Sequence, residues 1–452
     1  MKKRNEWVTR KTKREKRKKL DRGIIDFIRV VKHFFKDIPK WIGEMDDPRH
    51  QSYTTYTQAD LFWTGVLKNA CSVWSMAQMN SAFNEDACAH TLSVLSGHEG
   101  LSEVPHGDTL NRYLERLPPE CLSALRRKMV RCLLRGKNFH KSRLLGKYWR
   151  VILDGTGLFY FRERHCPGCL KETRKGADGK KAVRYYHKVL EAKIVLAEGF
   201  VVSLGTEFIE NEKEDVPKQD CEMNAAKRLL PRLKKEYPRL PACLQADALY
   251  ETEPMMGLCM ELGWRYLFTH KDTRQRGAGE DYALLTEGDK ETVEGIGKEQ
   301  GTGAFYNGVG ELAGKRMPMN LFEYTYKDKG GKETRFQWNT DIGVTKRNLE
   351  TLIHAGRGRW QIENEGFNHQ KNILYGIEHL NSRKANAMKC HYLLTQVADI
   401  LMQIYLHWNP MVKRMGQGIK DTSSRLLESF RRHTVTDEDV CYVNRRTSLY
   451  LE

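Results

Sequence analysis

The sequence predicts an α/β protein: an all-α N-terminal region, then a mixed sheet that a β-rich insertion interrupts. Three observations lead there. From Ile24 to about Gly136 apolar residues recur at three- and four-residue spacing, as in "IIDFIRVVKHFFKDI", "ADLFWTGVLKNACSVWSMAQMN" and "DTLNRYLERLPPECLSALRRKMVRCLL", which is the period of amphipathic helices. Asp108 is the expected N-cap of the last of these, and Pro118-Pro119 breaks it. The pattern then turns to short β-branched and apolar runs between turn residues: "YWRVILDGTGLFYF", "HKVLEAKIVLA" and "FVVSLGTEFIEN". Finally a helix "CEMNAAKRLLPRLKKEY", a strand "ACLQADALY", a helix through "EPMMGLCMELG" and a strand "WRYLFTHK" alternate, and alternation of that kind builds mixed or parallel sheets.

Residues 271–345 are rich in Gly, Lys, Glu and Thr and contain short strands such as "MNLFEYTYKD" and "TRFQWNTDIG". They form the expected insertion. Helical periodicity returns at "KRNLETLIHAGRGRWQIENEGFNHQK" and runs on through "ANAMKCHYLLTQVADILMQIYLHW". The expected division is therefore a basic arm at 1–22, a helical domain at 23–145, a core at 146–270 and 346–410, the insertion at 271–345 and a C-terminal tail at 411–452.

The chain has 452 residues, with 76 Lys and Arg against 58 Asp and Glu, a net charge of +18. Residues 1–22 alone hold twelve Lys or Arg and three acids, +9 of that excess. A polyanionic partner is expected, either through phosphate contacts made by the arm or with the arm serving only as a solvated tail. The longest apolar stretch is broken by Gln and Asp, so no membrane span is expected. The N-terminus lacks the apolar segment of a secretory signal, and eleven cysteines stand at irregular spacing, which suggests free thiols in a reducing cytoplasm.

Three acids invite chemistry. Asp154, in "VILDGTGLFYF", and Asp247, in "CLQADALYETEP", both sit where apolar runs end. Asp-Gly between apolar runs is also a hairpin signal, and an Asp before a helix is also a cap. Glu363 lies in "GRGRWQIENEGFNHQK"; at 100° per residue Arg359, Glu363 and Phe367 share one helix face and Glu365 points elsewhere. Trp360 reads as a core residue rather than a base-stacking platform.

Together, "LDGTG", "LQADALY", the inserted segment and "GRWQIENEGFN" followed by "YGIEHL" resemble the DDE transposases of bacterial insertion sequences, in the branch with a ribonuclease-H-like catalytic core and a β-rich insertion before the final glutamate. The resemblance covers most of the chain. It implies a transposase that binds the ends of its mobile element through the helical domain and performs DNA strand cleavage and strand transfer. It also implies that Asp154, Asp247 and Glu363 hold two Mg²⁺ ions, with Mn²⁺ as a substitute. Partners would be double-stranded DNA, at element ends and target, and a second copy of the chain as a homodimer; the setting would be cytoplasmic, on the bacterial nucleoid.

Hard cations want oxygen ligands, and two of them about 3.5–4 Å apart can activate the attacking oxygen and stabilise the leaving one. Carboxylate oxygens of the three acids should then fit within roughly 8 Å of one another. In this branch a Tyr, an Arg, the Glu and a Lys share one helix. Here Arg359 and Glu363 keep the spacing, the Tyr position falls on Gly356 and the Lys position on Gln370, with Lys371 one residue later. Arg357, Arg359 and Lys371 are the expected DNA-contacting cations. The rivals are a non-catalytic DNA-binding protein with a transposase fold, and a simple ribonuclease-H-like nuclease. A second cluster, Cys166-Pro-Gly-Cys169 with His187 as the best third ligand, reads either as a zinc half-site or as a reduced β-turn.

Overall fold

The computed structural model describes residues 22–175, 179, 181–214, 216–271, 276–286, 288–312, 314, 317–328, 330–360, 362–408 and 418–445, without the side chains of 51, 137–138, 276–278, 312 and 362–365. The basic arm, save Arg22, lies outside the described residues. The chain divides into two compact units, 1–138 with 368–452, and 139–367.

The first unit is helical. Its longest helix, Ala385–Trp408, is buried on nearly every side from Leu393 to Tyr405, as befits a helix that is apolar all round. The helices Gly23–Phe34, Gln58–Ala70, Gly107–Leu114 and Pro119–Arg135 pack around it. Gly65 permits one close crossing, because a Cβ there would stand 2.3 Å from Leu394 Cδ2. Local details differ from expectation. The run "ADLFWTGVLKNACSVWSMAQMN" is two helices, Gln58–Ala70 and Met76–Ala82, separated at Ser72 with φ 55°. His106, not Asp108, caps the helix Gly107–Leu114, its side chain accepting from the Asp108 N–H. In the stretch expected as a tail, Ile419–Arg432 and Asp437–Asn444 are helices. Among the described residues no helix is long and apolar enough to cross a membrane.

The second unit is built on one ten-stranded mixed sheet: β1 (Trp149–Phe161), β2 (Leu170–Lys175), β3 (Lys181–Ala197), β4 (Phe200–Ile209), β5 (Ala242–Ala246), β6 (Arg265–Thr269), β7 (Glu291–Ile296), β8 (Gly301–Tyr306), β9 (Asn320–Lys327) and β10 (Glu333–Thr340). β1 pairs with β3 antiparallel and with β5 parallel, and β5 pairs with β6 parallel. β4 and β2 share the far edge of β3, β4 along Lys188–Ala197 and β2 along Lys181–Tyr186. The four strands of the expected insertion continue the same sheet, because β10 pairs with β6 and the hairpins β10-β9-β8-β7 follow from it.

Alternation along the strands assigns the two faces. Cys243, Leu267, Phe322, Tyr324 and Trp338 form one core with Leu349, Leu352, Ile353 and Ala355, so the helix Leu349–Arg357 covers that face. Gln245, on the same face as Cys243, donates to the Ala355 carbonyl at 2.8 Å. The helix Glu222–Glu236 lies on the opposite face, where a Cβ on Gly205 would meet Leu233 and Leu229.

Candidate active site

The β1–β5 ladder runs from Trp149 opposite Ala242 to Ile152 opposite Gln245. Two residues further along both chains stand Asp154 and Asp247. Asp154 therefore lies two residues past the ladder inside β1, and Asp247 follows the last residue of β5, so the two aspartates come near the same end of neighbouring parallel strands. Asp154 and Gly155 lie inside β1, not at a hairpin. Asp154 Oδ1 accepts from the Gly155 N–H at 2.8 Å, and Asp247 Oδ1 accepts from the Leu249 N–H at 2.9 Å, where β5 has just ended in a turn.

The C-terminal helical segment packs against the Asp154 face of β1. Phe367 forms a buried cluster with Ile152, Val195 and Val201; Ile152 precedes Asp154 by two residues and so points the same way. The segment is not the uniform α-helix the sequence predicts. Leu349–Arg357 is α, Gly358–Trp360 is 3₁₀, and Ile362–Ile373 is a π-helix. With more than four residues per turn in the π segment, the equal 100° steps that aligned Arg359, Glu363 and Phe367 no longer hold. Glu363 stands on the segment whose Phe367 packs beside Ile152; its side chain lies outside the described residues.

Beneath Asp154, on the opposite face, is an acid that no sequence motif singles out. Glu222, first residue of its helix, accepts from Tyr250 Oη at 2.7 Å and forms an ion pair with Lys188 of β3. Its carboxylate lies over the backbone of Gly155, where a Cβ would stand 2.5 Å from Glu222 Cδ. Burial, then Glu222, then Asp154 and Asp247 push the Tyr250 hydroxyl far upward, keeping it a proton donor. Burial works to lower the Lys188 ammonium, but hydrogen bonding and charge from Glu222, helped by Tyr186 and Asp154, leave the net shift upward. The turn after Asp247 is fastened a second time by Glu251, fully buried, which contacts His270 Nδ1 at 2.6 Å and accepts from Asn339 at 3.0 Å. In sequence Glu222 resembles any acid in a helix's first turn, and its role depends on partners far along the chain.

The flanking cations have these surroundings in the structure. Arg357 pairs with Glu299 at 3.2 Å and lies against the rings of Tyr324, Tyr326 and Phe336, so it is held in packing. Lys371 pairs with Glu378 at 2.7 Å. Arg359 is half-buried in the 3₁₀ turn, and Trp360 is 49% exposed rather than core. Gln370 is fully buried and donates to Gln396 at 3.1 Å and Asp399 at 3.0 Å, a place for an amide and not for a lysine reaching DNA. Gly356 has no room for a tyrosine: a Cβ would stand 2.5 Å from the Trp338 indole.

At the far end of β1, His165, Cys166, Cys169 and His187 gather with one ligand atom each, all within 4.8 Å of one another. His165 is the member that spacing alone did not single out.

No family model matches this sequence, and no curated protein matches it. Among solved structures, the chain is similar to one described as a cryo-EM structure of a piggyBac transposase synaptic complex with hairpin DNA, at TM-score 0.43 and 12% identity, covering 92% of this chain and 84% of that one. So distant a likeness says nothing of this chain's chemistry.

Proposed function

We propose that the protein is a DNA transposase whose second unit is a ribonuclease-H-like catalytic core and whose helical unit and basic arm bind the ends of its mobile element as a homodimer. What supports this reading is that Asp154 in β1 and Asp247 just after β5 follow the parallel β1–β5 ladder by two residues each, while Phe367 of the Glu363 segment packs against Ile152 of β1. The strand order β4-β3-β1-β5-β6, with β3 the antiparallel member, supports the core assignment.

The donor set fits Mg²⁺, since the candidate ligands are carboxylates and hard cations prefer oxygen. Asp154, Asp247 and Glu363 would hold the ions. When bound, such ions lower the pKa of a water or hydroxyl nucleophile and neutralise charge on the leaving oxygen. The chain's own contribution is to hold the Asp247 turn: Tyr250 bonds Glu222, which lies over Gly155 of β1, and Glu251 contacts His270 just after β6. Arg359 would present its guanidinium to a phosphate beside the acids.

The test is Mg²⁺-dependent nicking of an element end by Asp154→Asn, Asp247→Asn and Glu363→Gln. Each is expected to lose cutting by at least about 10³-fold while retaining DNA binding, because a ligand is removed and the basic surface is not. A variant that binds DNA and cuts at the normal rate removes that residue from the site. Binding without cutting by the unaltered chain, at any divalent metal, returns the protein to a non-catalytic DNA-binding role.

A further inference from the structure

We propose that His165, Cys166, Cys169 and His187 form a structural zinc site that clamps the β1–β2 connection onto β3. This is independent of the transposase reading, since it uses none of the acids and a different ligand chemistry.

The distances carry it. A tetrahedral zinc with Zn–S about 2.3 Å and Zn–N about 2.0–2.1 Å spaces its ligands about 3.8 Å between sulfurs and about 3.5 Å between sulfur and nitrogen. Here the two sulfurs are 3.2 Å apart, Cys166 Sγ is 3.4 Å from His187 Nε2, and Cys169 Sγ is 3.0 Å from His165 Nδ1 and 3.6 Å from His187 Nε2. That sulfur separation is well beyond a disulfide bond, and both cysteines are free thiols. Four soft or borderline ligands converging on one point suit zinc and exclude magnesium.

The surroundings are built to hold such a site. Cys166, Pro167, Gly168 and Cys169 close a turn in which the Cys169 N–H donates to the Cys166 carbonyl at 3.3 Å. Asn211, beyond β4, braces this turn: its backbone N–H donates to the Gly168 carbonyl at 3.2 Å and its side chain to the Cys169 carbonyl at 3.1 Å. Cys169 and His187 are buried, at 0% and 5% exposure. Phe161 lies against His165 with ring centroids 4.0 Å apart. The other nitrogen of His187, Nδ1, faces the Glu210 carboxylate at 3.9 Å, the kind of group that orients a metal-bound imidazole.

Binding would release one proton from each thiol, so two thiolates and two neutral imidazoles offset the ion's charge in a buried setting. The ion would join a loop of eight residues, Arg162–Cys169, to a strand 18 positions further on. The loop then has a fixed geometry without needing a core of its own.

The experiment is elemental analysis of the full chain, purified without a polyhistidine tag, together with the absorption spectrum of the cobalt-substituted protein. One zinc per chain is expected, with visible cobalt bands of tetrahedral type and a sulfur-to-metal charge-transfer band. Cys166→Ser and His165→Ala are each expected to weaken zinc retention against a chelator at least about tenfold. A wild-type chain that takes up no stoichiometric zinc on reconstitution overturns the proposal, as does a Cys166–Cys169 disulfide found in freshly purified protein. Should a variant fail to fold, the wild-type metal content and cobalt spectrum still decide. Loss of zinc with intact Asp154 chemistry, or the reverse, separates this inference from the proposed activity.

Discussion

At the scale of single residues, two glycines show how far side-chain identity is set by neighbours remote in sequence. Gly155 reads locally as half of an Asp-Gly turn, yet it sits within β1 and is small because the Glu222 carboxylate lies over it. Gly356 occupies a position where the resembled family has a tyrosine, and the Trp338 indole fills the space a side chain would need. Neither reason is visible locally, because Glu222 stands 67 positions from Gly155 and Trp338 18 positions from Gly356, each on another element. Gly155→Ala is expected to cost about 1–3 kcal/mol by forcing Glu222 aside. In a Glu222→Ala background the same substitution should cost much less, and a denaturant-unfolding double-mutant cycle measures the difference. Equal costs in both backgrounds would mean that Glu222 is not what keeps residue 155 small.

At the scale of elements, the strands β1 and β5, which carry Asp154 and lead into Asp247, were legible because their apolar runs are a local pattern, and their parallel pairing follows from the helix between them. The helical segment after residue 348 was legible as helical but not in its winding. Periodicity assumes a constant angle per residue, whereas the chain passes from α through 3₁₀ to π within 349–373. π turns gather at functional sites, and this one carries Glu363. The basic arm was legible only as charge, and its first 21 residues lie outside the described residues. Deleting 1–22 is expected to weaken DNA binding and to flatten its salt dependence by about 0.9 in log–log slope for each phosphate the arm neutralises, as read from binding titrations at several salt concentrations. An unchanged slope would leave the arm a solubilising tail.

Across the whole molecule, stability and function draw on separate groups. In the helical unit Lys68 is buried and donates to the Trp74 carbonyl at 2.9 Å, and burial lowers its ammonium to about 7. The folded state therefore binds fewer protons than the unfolded chain between about pH 7 and 10.5, so the Lys68 contribution to stability rises with pH through that window, by up to about 1.4 kcal/mol per pH unit. Lys68→Met is expected to remove that slope, as seen in unfolding midpoints from pH 7 to 10; a slope that persists assigns it elsewhere. The sheet order came from pairing, which composition does not reveal: the inserted strands extend the main sheet instead of forming a separate layer. The proposed site rests on the sheet bringing two aspartates, 93 positions apart in sequence, to the same end of the paired strands β1 and β5. The most direct measurement of that claim replaces the proposed Mg²⁺ with Fe²⁺ and maps where ascorbate-generated hydroxyl radicals cut the backbone. Cuts are expected at three places, around 154, 247 and 363, all suppressed by added Mg²⁺ and all abolished together in Asp154→Asn. Cutting near 154 and 247 with none near 363, or cuts indifferent to Asp154→Asn, would contradict a metal centre shared by the three acids.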